Sequence, residues 1–290
     1  MSIARIVIGM VLYIVCAPLI GGFLAGIDRK LTARMQGRRG PSVFQAFYDV
    51  RKLLSKEILM VNREQFVFAA SFLIFVIVTG SLFFGGRDLL LVFFILTTSA
   101  MFLVIAAMSV NSPYSVMGAQ RELVQMLSYE PMVILVAVGF YKATGSFKVV
   151  DIIGADISAI VYLPGVFIGF LFILSIKLRK SPFDISTSHH AHQELVKGVT
   201  TELSGGMFAL IEIAHWYENV FLLGVIALFI INSSWWSIPL AILVCAAAYF
   251  LEILIDNTCA RVKWDYMFKA SWAVTMVLGA INIFVLEYIK

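Results

Sequence analysis

Residues 177–220 read KLRKSPFDISTSHHAHQELVKGVTTELSGGMFALIEIAHWYENV, a charged stretch between one apolar run that ends at Ile176 and another that starts near Val220. It holds all 4 histidines of the chain (His189, His190, His192, His215) together with Asp184, Glu194, Glu202, Glu212 and Glu218. Its second half continues into an apolar helix, so Glu212, His215 and Glu218 fall inside a hydrophobic segment. A charged side chain at the centre of a bilayer costs roughly 2.5–3.5 kcal/mol on insertion scales, and such residues persist mainly where ions or protons are handled. This part of the chain is the best candidate for chemistry.

The rest of the composition belongs to lipid. The chain is 61% hydrophobic and 14% charged, with a mean hydropathy of +0.93. An average soluble domain is about half apolar and about a quarter charged. Charge-poor windows of about 20 residues predict eight spans. Four are uninterrupted: Ile6–Ile27, Phe66–Gly86, Leu89–Val110 and Ile157–Ile176. Leu127–Ala143 is short and carries Glu130. Ser204–Ile231 carries Glu212, His215 and Glu218, Trp235–Asp256 carries Glu252 and Asp256 at its far end, and Ala270–Tyr288 comes last. The expected fold is an all-α integral membrane protein with about eight transmembrane helices, a single polytopic domain over residues 1–290.

Most of the 22 lysines and arginines lie in the loops after spans 1, 3, 5 and 7, with the first of these loops the richest. The positive-inside rule therefore places those loops in the cytoplasm and both termini outside. The net charge of +4 reads as a topology signal rather than a nucleic-acid footprint. The N-terminal apolar run has no small-residue cleavage site and reads as a retained span. Cys16, Cys245 and Cys259 show no C-x-x-C spacing, so an iron–sulfur cluster or zinc finger is not expected from them. There is no phosphate loop, dinucleotide fingerprint or nucleophile–base constellation.

The first loop breaks at Gly40-Pro41, after which Val43, Phe44, Phe47, Val50 and Leu54 recur at helical spacing. This predicts an amphipathic helix that lies at the interface with its cations towards anionic lipid, or that borders a chamber or docks a soluble partner. In the third loop, Glu130-Pro131 reads as an acid at a helix start, where the macrodipole favours it. In the fifth, imidazole and carboxylate suit zinc, but H-H-x-H matches no ligand spacing such as H-E-x-x-H. Interface histidines that tune proton transfer or docking fit better, since imidazole titrates near neutrality.

Within span 6, Glu212, His215 and Glu218 are each three apart, so adjacent pairs can share a helix face. They form either a proton-handling set or a polar network that locks helix packing. Glu252 and Asp256 share a face of span 7 by the same argument, or form an interfacial pair. Gly22-x-x-x-Gly26 and Gly165-x-x-x-Gly169 are small-residue packing signals.

Three loops carry a family resemblance. Asp28-Arg29-Lys30…Gln36-Gly37-Arg38-Arg39-Gly40-Pro41 resembles the E-R-K…Q-x-R-x-G-P signature of the NADH dehydrogenase subunit 1 family, the complex I membrane subunit next to the peripheral arm. Gly118-Ala119-Gln120-Arg121-Glu122…Gln125-Met126-Leu127-Ser128-Tyr129-Glu130 resembles its G-A-x-R…Q-x-x-S-Y-E loop. Ser181-Pro182-Phe183-Asp184-Ile185, then Glu194-Leu195-Val196-Lys197-Gly198 and Glu202-Leu203-Ser204-Gly205, resembles its R-x-P-F-D…E-L-V-x-G…E-Y-S-G loop.

The departures are equally specific. Where quinone-linked members usually carry P-E-A-E-x, this chain has Ser186-Thr187-Ser188-His189-His190-Ala191-His192-Gln193. Where they read L-A-E-Y, it has Ile213-Ala214-His215-Trp216, and Gln45-Ala46-Phe47 stands for Q-P-L. This pattern resembles the homologous subunit of Ech-type energy-converting NiFe hydrogenases.

That resemblance implies a membrane anchor in the cytoplasmic membrane that itself binds no cofactor. The NiFe centre and iron–sulfur clusters would sit in partner subunits: the hydrogenase large subunit, a small iron–sulfur subunit and a ferredoxin-like subunit, with an antiporter-like neighbour in the membrane. Partner docking would use Arg29, Arg34, Arg38, Arg39, Arg121, Asp184, His189, His190, His192 and Glu194. The family's acidic route carries over to Glu130, Glu202 and Glu212. His215, Glu218, Glu252 and Asp256 join it from their helix positions. Two other readings compete: a quinone-binding subunit of a respiratory NADH:quinone-type dehydrogenase, and a stand-alone transporter or channel.

Overall fold

The computed structural model describes residues 3–57, 62–187 and 197–289. Among these, regular structure is entirely helical. Seven helices among the described residues are long and apolar enough to cross a membrane: α1 (Ile3–Met35), α3 (Arg63–Phe84), α4 (Leu89–Met108), α5 (Pro113–Thr144), α9 (Gly205–Ile230), α10 (Ser237–Thr258) and the last, built from α11 (Trp264–Val274), a π-helical segment (Thr275–Ala280) and α12 (Ile281–Ile289). The remaining apolar stretch, expected as an unbroken span, is divided at Leu163 into α7 (Ala159–Tyr162) and α8 (Pro164–Lys177). Proline lacks the N–H a continuing helix needs and disfavours helical backbone before it, so the helix restarts with Pro164 in its first turn. The two pieces still join opposite ends of the bundle. Ser158 donates to the Ile230 carbonyl at one end, 2.7 Å away, and Lys180 meets Asp28 at the other, 2.8 Å away.

Local chemistry sets the helix ends. The Asn62 side chain accepts from the Glu64 N–H, and Asp88 accepts from Leu90 and Leu91, each satisfying N–H groups that an α-helix leaves unpaired. Gly145, at φ 80°, closes α5.

A correction concerns the third loop. All but a short connection at residues 109–112 is helix, and Glu130 does not start one. α5 begins at Pro113 after Ser112 and carries Glu130-Pro131 in its interior. Its first half buries Ser115, Gly118, Ala119, Glu122, Gln125 and Met126 at helical spacing, a face defined by burial but largely polar in chemistry.

α9 is the most enclosed of the long helices and apolar nearly all round, as a helix surrounded by others should be. It touches α1, α3, α10 and α2 (Gln45–Leu54), while short α6 (Val149–Ile153) lies at the other end. Both glycine pairs are close-approach points. Gly26 lies under the Val43 carbonyl, Gly22 against Phe47 and Trp216, Gly165 against the Leu278 carbonyl and Gly169 against Met132. The loops after spans 1, 3, 5 and 7 gather at one end. Gln36 bonds Asn257, Asn62 bonds the Ser109 carbonyl, and Val262 N–H bonds the Pro182 carbonyl.

Candidate functional site

A cavity of about 780 Å³ opens at this charge-rich end between α1, α2, α9, α10 and the segment after α8. Ligand pockets commonly fall between about 300 and 1,000 Å³. The amphipathic helix α2 therefore borders a chamber. It buries Ala46 and Val50, sets Phe47 edge-on to Trp216 with centroids 5.2 Å apart, and contributes Asp49, Lys52 and Leu53 to the wall. Arg29 of α1 pairs with Asp49, and Gln45 donates to the same carboxylate at 2.9 Å. Burial alone would raise the Asp49 pKa. The hydrogen bonds from Gln45 and Arg29, with the Arg29 charge, outweigh it and hold the carboxyl below the ordinary aspartate range.

A buried ion-pair cluster forms part of the cavity floor, where Lys177, Arg179, His215 and Glu218 line it. The α8 helix ends in a Schellman motif: Lys180 N–H bonds the Ser175 carbonyl and Arg179 N–H that of Ile176. The C′ position of that motif favours glycine because φ is positive. Here Arg179 occupies it at φ 52°, accepting backbone strain to place its guanidinium. Arg179 Nη2 and Nε reach Glu122 of α5 at 2.6 and 3.2 Å. Its Nη1 meets His215 Nε2 at 2.7 Å and lies 3.9 Å from Glu218 Oε2. Arginine can only donate, so His215 accepts through Nε2 and carries its proton on Nδ1. Lys177 pairs with Glu218 at 2.9 Å and donates to the Tyr129 hydroxyl at 3.1 Å. Two cations thus face two carboxylates.

Two further pairs hold the segment after α8. Lys180 meets Asp28, and Arg261 meets Asp184 at 2.8 Å. Ser181 N–H donates to Asp256 Oδ1 at 2.8 Å. Burial pushes the Asp184 carboxyl up, and the Arg261 charge only partly opposes it.

Residues 8–287 match the family model described as NADH dehydrogenase. The chain belongs to the NADH dehydrogenase subunit 1 family. It is 29% identical to a subunit of the NADH-quinone oxidoreductase of Anoxybacillus flavithermus, over 98% of this chain and 91% of that one. It is 28% identical to the corresponding subunit from Geobacillus kaustophilus, over 97% and 92%. The fold matches a chain in the structure of the membrane-bound sulfane sulfur reductase, an archaeal respiratory membrane complex. The TM-score is 0.84 with 22% identity, covering 97% of this chain and 99% of that one.

In this NADH dehydrogenase family member, Glu212, His215, Glu218 and Asp256 all line the cavity, the middle two also belonging to the cluster. Glu252 is buried nearby. Glu130 and Glu202 are half-buried and outside the cavity wall. Arg29 and Asp184 line the cavity, Arg34, Arg38 and Arg39 are exposed, and Arg121 is half-buried. His189, His190, His192 and Glu194 lie outside the described residues. Sequence reasoning missed Glu122, Tyr129, Lys177, Arg179 and the Lys180–Asp28 pair as site residues. A signal existed: acids carried into a membrane helix need cations, and Lys177, Arg179 and Lys180 stand together where span 5 ends.

Proposed function

We propose that this chain is the membrane anchor and coupling subunit of a ferredoxin-dependent, energy-converting NiFe hydrogenase. In this reading the charge-rich end faces the cytoplasm, both termini lie outside, and the hydrophilic redox module sits over the cavity. The large, small iron–sulfur and ferredoxin-like subunits contain every redox centre, and an antiporter-like neighbour moves H⁺ or Na⁺.

The observation that carries the reading is the cavity wall. More than half of its residues are ionisable, among them Asp28, Arg29, Asp49, Lys52, Lys56, Lys180, Asp184, Glu212 and Arg261. A lipophilic quinone would lie against charges that cost free energy to desolvate, whereas a charged protein surface or a water-borne proton meets them favourably. The replacement of the acidic stretch before Glu194 by a histidine-rich one supports the same choice.

The chain's own residues then do three things. The exposed arginines and Asp184 seat the partner, Glu212 exchanges protons at the wall, and the cluster beneath transmits charge. A redox change in the seated module alters the field at Arg179, whose guanidinium is shared between Glu122 on one side and His215 and Glu218 on the other. A shift of that cation changes which acid is compensated, and so which can hold a proton.

The test is purification of the complex through this subunit, with nickel and ferredoxin-driven hydrogen evolution as readouts. Glu212→Gln is expected to abolish ion pumping in vesicles while hydrogen evolution by the solubilised complex persists. Undiminished pumping removes Glu212 from the route. A second reading, quinone binding, is supported by the two relatives, which are parts of NADH-quinone oxidoreductases. Labelling of α1, α2 or α9 by a photoreactive quinone, in a complex without nickel, would establish it instead.

A further inference from the structure

Glu252 stands on α10 between Tyr249 and Asp256, about one turn from each. It is 1% exposed, and neither carboxylate oxygen has a hydrogen-bond partner among the described residues. The ion-pair cluster does not include it. An ionised carboxylate there would lose its hydration with no donor to replace it, so the neutral acid is the form this surrounding accommodates.

Two charged groups flank Glu252: the Asp256 carboxylate one turn further along α10 and the Lys180 ammonium over the ring of Tyr249. Asp256 is occupied by the Ser181 N–H. Lys180 comes from the segment after α8. Its ammonium meets Asp28 of α1 at 2.8 Å and lies 5.0 Å from the centre of the Tyr249 ring. Tyr249 and Glu252, three apart, share a helix face, and the Tyr249 hydroxyl is tied to the Leu24 carbonyl of α1 at 3.2 Å. Lys180 is therefore held between an acid on α1, which it pairs, and an acid on α10, which it does not.

We propose that Glu252 is a proton-loading carboxyl and that Lys180 is its switched counter-ion. With Lys180 on Asp28, Glu252 keeps its proton. When the segment after α8 moves and the ammonium passes to Glu252, the O–H bond breaks and the carboxylate pairs with Lys180. The proton leaves through the cavity to Asp28, which has lost its cation. Return of Lys180 to Asp28 expels that proton into the water of the cavity, and Glu252, again without a cation, is reloaded by a second proton taken up from water. The motion rests on the coupling reading above, in which a redox change in the seated module shifts Arg179, the neighbour of Lys180 in that segment.

The experiment is redox-difference infrared spectroscopy of the intact purified complex, poised with dithionite and ferricyanide. The expected result is a protonated-carboxyl C=O band that changes between redox states, shifts in D₂O and is lost in Glu252→Gln. In Lys180→Gln the acid remains but its band no longer responds to redox state. Wild-type spectra without such a band, or an unchanged band in Glu252→Gln, overturn the proposal. If Glu252→Gln does not assemble, a wild-type response in Lys180→Gln overturns it alone. Nickel content of the same preparation reports separately on the hydrogenase reading.

Discussion

Lys177 Nζ lies 2.9 Å from Glu218 Oε1, with the two side chains only 5% and 4% exposed. One comes from the last turn of α8 and the other from the middle of α9, so the pair ties the charged segment after α8 to the most enclosed helix of the bundle. Both charges have left water, and each holds its charge because the other is there.

Removing one partner of such a pair strands the other. Glu218→Gln is expected to cost about 3–5 kcal/mol, read as a lowered thermal midpoint of the detergent-solubilised complex. Lys177→Met combined with Glu218→Leu should recover most of that stability while coupling stays lost. A Glu218→Gln variant that melts like the parent would show that the pair is not desolvated.

Arg179→Lys keeps the charge and removes the fork. A lysine has one ammonium where the guanidinium spans Glu122 and His215, and the two are not interchangeable at a bidentate site. Loss of a hydrogen bond to a charged group costs about 1.5–3 kcal/mol. Vesicle assays should show ion translocation per electron reduced at least tenfold, with assembly retained. Normal coupling in this variant would mean that charge alone suffices.

The Asp49 carboxyl is held below its ordinary range in the folded chain, so the unfolded chain binds the proton more readily. The stabilising contribution is therefore present above the ordinary aspartate pKa and is lost as pH falls through the depressed folded value. Hydrogen exchange in α2 should accelerate on acidification across that range. Asp49→Asn should exchange faster at neutral pH and lose this part of the pH dependence. Parallel pH profiles for the two proteins would refute the assignment.

Gly26→Ala places a methyl group on the Val43 carbonyl, closer than any real contact allows. The backbone leading into α2 must then move, and with it one wall of the cavity. Overpacking of this kind costs about 1–3 kcal/mol, visible as a lowered melting midpoint and weakened retention of partner subunits. Gly154→Ala is the control, since its added carbon would meet nothing nearer than 3.5 Å.

Lipid makes the spans legible, because a helix must present about 20 apolar residues to cross it. That constraint acts on each segment alone. It located the long helices, and the alternation of charged loops predicted the shared end at which the cavity opens. It failed where burial is not apolar. The first half of α5 hides a face of serine, glycine, glutamate and glutamine against other protein, so a search for charge-poor windows began that helix late and put Glu130 at its start.

Residue order was enough to specify a bundle of membrane helices, its charge asymmetry and the acids and imidazole of α9, since hydropathy and motif spacing act over neighbouring residues. Which cation compensates which acid was settled by the packing of the helices in space. Arg179 with Glu122, Lys177 with Glu218 and Lys180 with Asp28 are pairings between segments far apart in the chain. The isolation of Glu252 arises in the same way. Coulomb energy and desolvation depend on distance in space, which chain order does not contain.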